Sequence, residues 1–226
     1  MARTGRPRGF DKAEAMQQAM SLFWEHGYEA TSLAQLKAAM GGISAASFYA
    51  AFASKEALFR EVLCRYLATH GRVTASLHNP ALPPREAIEQ ALRGSARMQT
   101  DQAHPLGCLV VLATSTCSPE NSHLQALLAE ERQRNRAGLL ACVERAIAAG
   151  DLPHGTDAGA LAAMFDTFLA GLTIQARDRV PLASLEAAVS GLMRVWDGLA
   201  AAGFSDASRS PLRSPKRAAV DRAASR

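Results

Sequence analysis

Apolar residues recur along this chain at three- and four-residue spacings, which is the helical period. Met16, Met20 and Phe23 share one face of a first helix. It is expected to start at Asp11, with Glu14 completing a capping box, and to end at Gly27, which accepts the left-handed conformation of a helix stop. Leu33, Leu36 and Met40 form the buried side of a second helix that starts at Ser32, with Gln35 placed to close another box. Gly41 and Gly42 break it. Ser44 caps a very short third helix that ends near Phe52, and Ser54 caps a fourth, with Glu56 near its positive end. Leu58, Phe59, Val62, Leu63, Tyr66 and Leu67 make the stripe of that helix.

A break at "NPALPP" separates this unit from a larger helical region. A helix is expected from Pro84 to about Thr100, and a second element from Leu106 to about Thr116. A long helix opens at Ser118-Pro119-Glu120, reaches Ala149 and stops at Gly150. Leu161, Phe165, Phe168 and Leu172 line the next helix, and Leu185, Val189, Leu192, Trp196 and Leu199 the last. Both are apolar around much of their circumference and need cover on two sides, which a second copy of the chain would supply. "CLVVLA" is the one strand-like run, and it reads equally as buried helix. The expected fold is all-α. A flexible basic arm (1–10) precedes a helix-turn-helix unit (11–70), a larger helical domain (71–204) and a disordered basic tail (205–226).

Charge alters this picture by its location. The formal excess is +4, and the segment from Ser205 onward carries it all, with six basic against two acidic residues. Arg3, Arg6 and Arg8 make a second basic spot before the first helix. No apolar run reads as a membrane span, and the basic N-terminus lacks the apolar segment of a secretion signal, so a cytoplasmic protein is expected. The four cysteines are widely spread and imply no disulfide framework.

Two short helices joined by a glycine turn form a device whose second helix enters the DNA major groove. Alanine at Ala45, Ala46, Ala50 and Ala51 keeps that helix thin and lets its backbone approach the groove walls. Ser44 and Ser47 offer hydroxyls, and Tyr49 a phenol, to phosphates or base edges. Lys55 opens the next helix, where free backbone N–H groups favour an anion. Phe48 and Phe52 would pin the reading helix to its neighbours. "LFWEHGYEATSLAQL" followed by "SAASFYAAFASKEALF" resembles the DNA-binding domain of the TetR/AcrR transcriptional regulators, over roughly residues 10–65. The resemblance implies an all-α regulator that binds a near-palindromic operator as a homodimer through its last two helices, more often as a repressor, and senses a small effector. It implies DNA contact at Thr31, Ser44, Ala45, Ser47, Tyr49 and Lys55, with Ser32 beside Thr31. One departure is visible: Gly41 and Gly42 both occupy a turn where the family commonly has one glycine. The extra residue either loosens the turn or rotates the reading helix. The arm arginines Arg3, Arg6 and Arg8 suit the adjacent minor groove.

The second region offers one unusual stretch, "HPLGCLVVLATSTCSPEN". Cys108 stands near an expected helix start, where the dipole lowers a thiol pKa, and Cys117 follows as a candidate resolving thiol. Sensing of oxidants or electrophiles through this pair is set against plain packing. A metal reading would gather His104, Cys108, Cys117 and His123, without a tight ligand pair in either half. No phosphate-cradling loop or nucleophile elbow is present, so no enzyme and no cofactor is expected. A helical small-molecule-binding module without DNA binding is the rival from another class.

Overall fold

The computed structural model describes residues 11–207 apart from Thr116, and every regular element among them is helical. The arm with Arg3, Arg6 and Arg8 and the tail from residue 208 lie outside the described residues. The α-helices are α1 (Lys12–Ala30), α2 (Leu33–Ala39), α3 (Ala45–Phe52), α4 (Lys55–Ala68), α5 (Pro84–Thr100), α6 (Leu109–Leu112), α7 (Ser122–Ala149), α8 (Ala158–Arg177) and α9 (Leu182–Ala207). Two 3-10 segments, His70–His78 and Pro119–Asn121, precede α5 and α7.

Local chemistry sets most boundaries. The Asp11 carboxylate accepts from the N–H groups of Ala13 and Glu14, which caps α1. Ser32 and Gln35 form the reciprocal box that starts α2. Ser44, Ser54 and Asp157 cap α3, α4 and α8 in the same manner. Gly150, left-handed at φ 81°, ends α7.

Gly27 does stop the first helical run, as expected: it is non-helical at φ 80° and ψ 170°, and a separate turn beyond this kink carries α1 on to Ala30. Some expectations are corrected. The element expected over 106–116 shrinks to the single turn of α6, because Gly107 bends the chain at φ 84° immediately before it. The 3-10 segment His70–His78 was not anticipated. Its apolar residues are too sparse to mark a helix by period. α9 runs to Ala207, past Ser205 where the tail was expected to start. α8 is long and apolar enough to cross a membrane by length and composition, against the expectation that no such run exists. It packs on α5 and α7 instead.

Two hydrophobic clusters hold the molecule. In the first, Trp24, Phe23, Phe59 and Tyr66 of α1 and α4 join Leu36, Phe48 and Phe52 of α2 and α3. The same cluster continues into Leu109, Val110 and Ala113 around α6, and Leu124 and Leu128 of α7. In the second, α5 is central and packs on α7, α8 and α9 through Ile88, Leu92, Leu139, Phe165 and Trp196.

Candidate functional site

The turn between α2 and α3 explains how the extra glycine is accommodated. Gly42 N–H donates to Lys37 O at 2.9 Å and Gly41 N–H to Ala38 O at 3.2 Å, the paired bonds of a Schellman stop. Both glycines are left-handed, at φ 81° and 74°, so the second one turns the chain further before Ser44. Ile43 then packs on the first cluster. The extra residue is absorbed as a wider turn, and α3 still seats Phe48 and Phe52 in the core, where they are buried.

With its apolar side inside, α3 presents Ala45, Ala46, Ser47, Tyr49 and Ala50 outward. Tyr49 is 52% exposed, although large apolar side chains are mostly inside here. Ser44 Oγ accepts from Ser47 N–H at 3.0 Å and lies 3.0 Å from Ser47 Oγ, so the two hydroxyls form one exposed polar spot at the helix start. Ser32 is also exposed while it caps α2. First-turn N–H groups of α3 and α4 that the caps do not take remain available to an anion.

Thr31 is different, because its side chain does not share this outward face. It is fully buried, and its hydroxyl donates to Gly27 O at 2.6 Å. It ties the last turn of α1 across the break at Gly27. Lys55 stands at the first position of α4, but its ammonium lies 4.2 Å from the centroid of the Tyr28 ring. Burial lowers its pKa, opposed by the nearby Glu29 carboxylate.

Sequence reasoning missed the contacts that join this unit to the rest. Trp24 Nε1 donates to Gly107 O at 3.1 Å. Tyr28 N–H, released by the break at Gly27, donates to Ala113 O at 2.8 Å. Glu29 accepts from Ser118 N–H and Asn121 Nδ2, both at 2.8 Å, and hydrogen bonding from Ser118 and Asn121 lowers its carboxyl pKa to about 2. Arg177 of α8 reaches the Glu25 carboxylate at 3.1 Å and the Glu25 carbonyl at 2.7 Å. All of these join residues far apart in sequence, so no local pattern announces them.

A cavity of about 320 Å³ lies between α4, the first 3-10 segment, α5, α7 and α8. Leu67, Val73, Met98, Val110, Val111 and Leu169 supply its apolar wall. The buried pair Thr173 and Gln99, bonded at 2.9 Å, also lines it, as does Cys108. Gln99 O in turn accepts from Gly107 N–H at 2.9 Å. A short bonded path thus leads from the cavity wall through Gly107 to Trp24 of α1.

The thiol expectation is corrected in its physical basis. Cys108 does precede a helix, but α6 has only four residues and burial pushes the thiol pKa up. The Tyr66 hydroxyl, 3.4 Å from Cys108 Sγ, and nearby N–H groups pull the other way without winning. The Cys117 pKa is raised as well, by burial first and then by Glu29. Both thiols are free, and their polar neighbours differ: Tyr66 and Arg132 for Cys108, Glu29 and Lys55 for Cys117. The four proposed metal donors do not converge. His104 stacks on Trp24 with centroids 4.4 Å apart, and His123 sits 3.1 Å from the Glu56 carboxylate. Among the described residues no three His, Cys, Asp or Glu side chains are grouped to hold a metal.

Comparison with known proteins agrees with this geometry. The family model for bacterial regulatory proteins of the tetR family matches residues 15–62, and that for the tetracyclin repressor-like C-terminal domain matches 84–192. The HTH-type transcriptional repressor ComR of Escherichia coli K12 is 33% identical over 199 residues, spanning 86% of this chain and 93% of the relative. A solved structure of the TetR family regulator CifR, a cysteine-substituted form complexed with 26 bp double-strand operator DNA, is 44% identical. It superimposes with a TM-score of 0.76, covering 84% of this chain and all of that one. A TetR regulator from Rhodococcus sp. RHA1 is 36% identical with a TM-score of 0.55, covering 82% of this chain and 98% of the other.

Proposed function

The chain belongs to the TetR family of bacterial regulatory proteins, and we propose that it is a cytoplasmic, effector-responsive repressor binding a near-palindromic operator as a homodimer. The observation that carries this reading is α3: a thin helix with an alanine, serine and tyrosine outer face, held by Phe48 and Phe52 from beneath. Two such helices, related by a two-fold axis, would enter successive major grooves about 34–36 Å apart. Ala45 meets groove walls and thymine methyls. Ser32, Ser44, Ser47 and Tyr49 meet phosphates or base edges, and the start of α4 with Lys55 holds a further phosphate. Arg3, Arg6 and Arg8 on the arm reach into the neighbouring minor groove.

The dimer is formed by α8 and α9. Ile174 and Val195 on these helices are 54% and 44% exposed, the kind of apolar surface a second copy would cover. The 320 Å³ cavity takes the effector. Its occupation would shift Gln99 and Gly107, and through Trp24 the angle of the DNA-reading unit. A differential affinity of about 1–3 kcal/mol suffices for such coupling. The protein acts by binding and performs no reaction.

Selection from a pool of random duplexes with the purified chain tests the reading. The expected outcome is enrichment of paired half-sites one helical turn apart. Retention of no duplex above random competitor sinks it.

A further inference from the structure

The polar residues of the cavity are unevenly charged, and the imbalance points to the chemistry of its ligand. This inference rests on reading the cavity as the effector site. Arg132 of α7 lines it, and among the described residues this guanidinium has no carboxylate within ion-pair distance. Its one hydrogen bond runs from Nη1 to Val110 O at 2.7 Å. Arg72 of the first 3-10 segment also lines the cavity and likewise has no carboxylate partner among the described residues. The other two guanidiniums at the wall are engaged. Arg134 pairs with Glu131, while Arg136 bonds Gln133 and stands 4.0 Å from Asp166. Asp166 is the opposing charge, and burial raises its pKa against the attraction of Arg136 and Arg132. Burial lowers the Arg132 pKa, so this cation is held in surroundings that penalise it.

An anion entering the cavity would relieve that penalty. A guanidinium carries five N–H donors in a planar fork that matches a carboxylate, and Arg132 has committed one bond. Thr74, His78, Ser95, Asn135 and the bonded pair Gln99 and Thr173 also line the wall, but most of the surface it exposes is apolar, which suits a singly charged ion on a hydrocarbon body better than a heavily hydrated phosphate. At close-packed density about 320 Å³ accommodates roughly a dozen non-hydrogen atoms. We infer that the effector is a small organic carboxylate, its acid group forked by Arg132 and its apolar body lying against Leu67, Val73, Val110 and Leu169.

The experiment is calorimetric titration of the full chain with 4-phenylbutanoate and octanoate, each beside its neutral amide. Acids are expected to bind at least about tenfold more tightly than amides, the scale of a hydrogen-bonded charge pair. Arg132→Gln should abolish that preference and leave amide affinity in place, whereas Arg132→Lys should keep part of it. Asp166→Asn should tighten acid binding several-fold by removing a like charge. Circular dichroism of each variant confirms that it folds. Amides that bind the parent as tightly as the acids overturn the carboxylate assignment and leave the cavity as an effector site. An unchanged preference in Arg132→Gln overturns the role of that residue. Binding of neither acid nor amide overturns the cavity reading itself, together with the inference built on it.

Discussion

Thr31, Tyr49 and Lys55 stand close in sequence and have three different fates. The buried Thr31 hydroxyl holds the last turn of α1 to Gly27 O. Thr31→Val should therefore lower stability by about 1–3 kcal/mol in denaturant unfolding. The DNA affinity of the folded variant should match the parent's, which a surface contact would not allow. Tyr49 is exposed and its phenol is available, so Tyr49→Phe should weaken binding to every duplex by a similar factor, read by anisotropy titration on several sequences. Lys55→Ala should reduce the slope of log affinity against log salt by about one, the signature of a lost phosphate contact. Equal slopes for parent and variant would leave Lys55 as a cation on the Tyr28 ring and nothing more. Sequence alone distinguished these residues only in part. Ser44, Tyr49 and the capping serines were legible because a cap or a helix face is local information. The burial of Thr31 was not legible, because the break at Gly27 beside it is held by Ala113 far along the chain.

At the scale of elements, the wide turn and α6 make the contrast. The turn was legible as glycine-rich, and its doubled glycine resolves into two left-handed residues with open space around them. Gly42→Ala should then cost only the intrinsic strain of that conformation, about 1 kcal/mol, measured by thermal unfolding. Gly107→Ala should cost considerably more. A Cβ there would meet Leu112 Cδ1 at 2.9 Å and Thr173 at 3.2 Å in addition to the strain of φ 84°. The short length of α6 was not legible, because Trp24 and Gln99 fix the chain before it through bonds to Gly107. The junction before α7 should also respond to pH. Glu29 is depressed from its usual 4.5 to about 2, so its contribution to stability is complete above 4.5 and fades as pH falls towards 2. Glu29→Gln should be less stable than the parent at neutral pH, and the gap should close on acidification through that window. A gap that stays constant with pH would mean that Ser118 and Asn121 do not hold the carboxylate.

For the whole molecule, the outward apolar residues of α8 and α9 make association the quantity to measure. Ile174→Asp should shift the chain from dimer to monomer in sedimentation at micromolar concentration, and operator binding should weaken with it. An unchanged dimer would move the interface elsewhere. The α8 and α9 pattern was legible as two helices needing cover on both sides, whereas the site of the cavity was not, since apolar residues at helical spacing look alike whether they fill a core or wall a hollow.

The first hydrophobic cluster does not stop at the end of α4. It closes only when Leu109, Val110 and Ala113, with Leu124 and Leu128 from α7, are added. A fragment cut after the fourth helix would lack part of its own interior and leave Trp24 and Tyr66 facing solvent. Chimeras that graft this reading head onto a relative's sensor must therefore import the matching segment around α6. The junction is a single piece of packing, and neither side of it is complete alone.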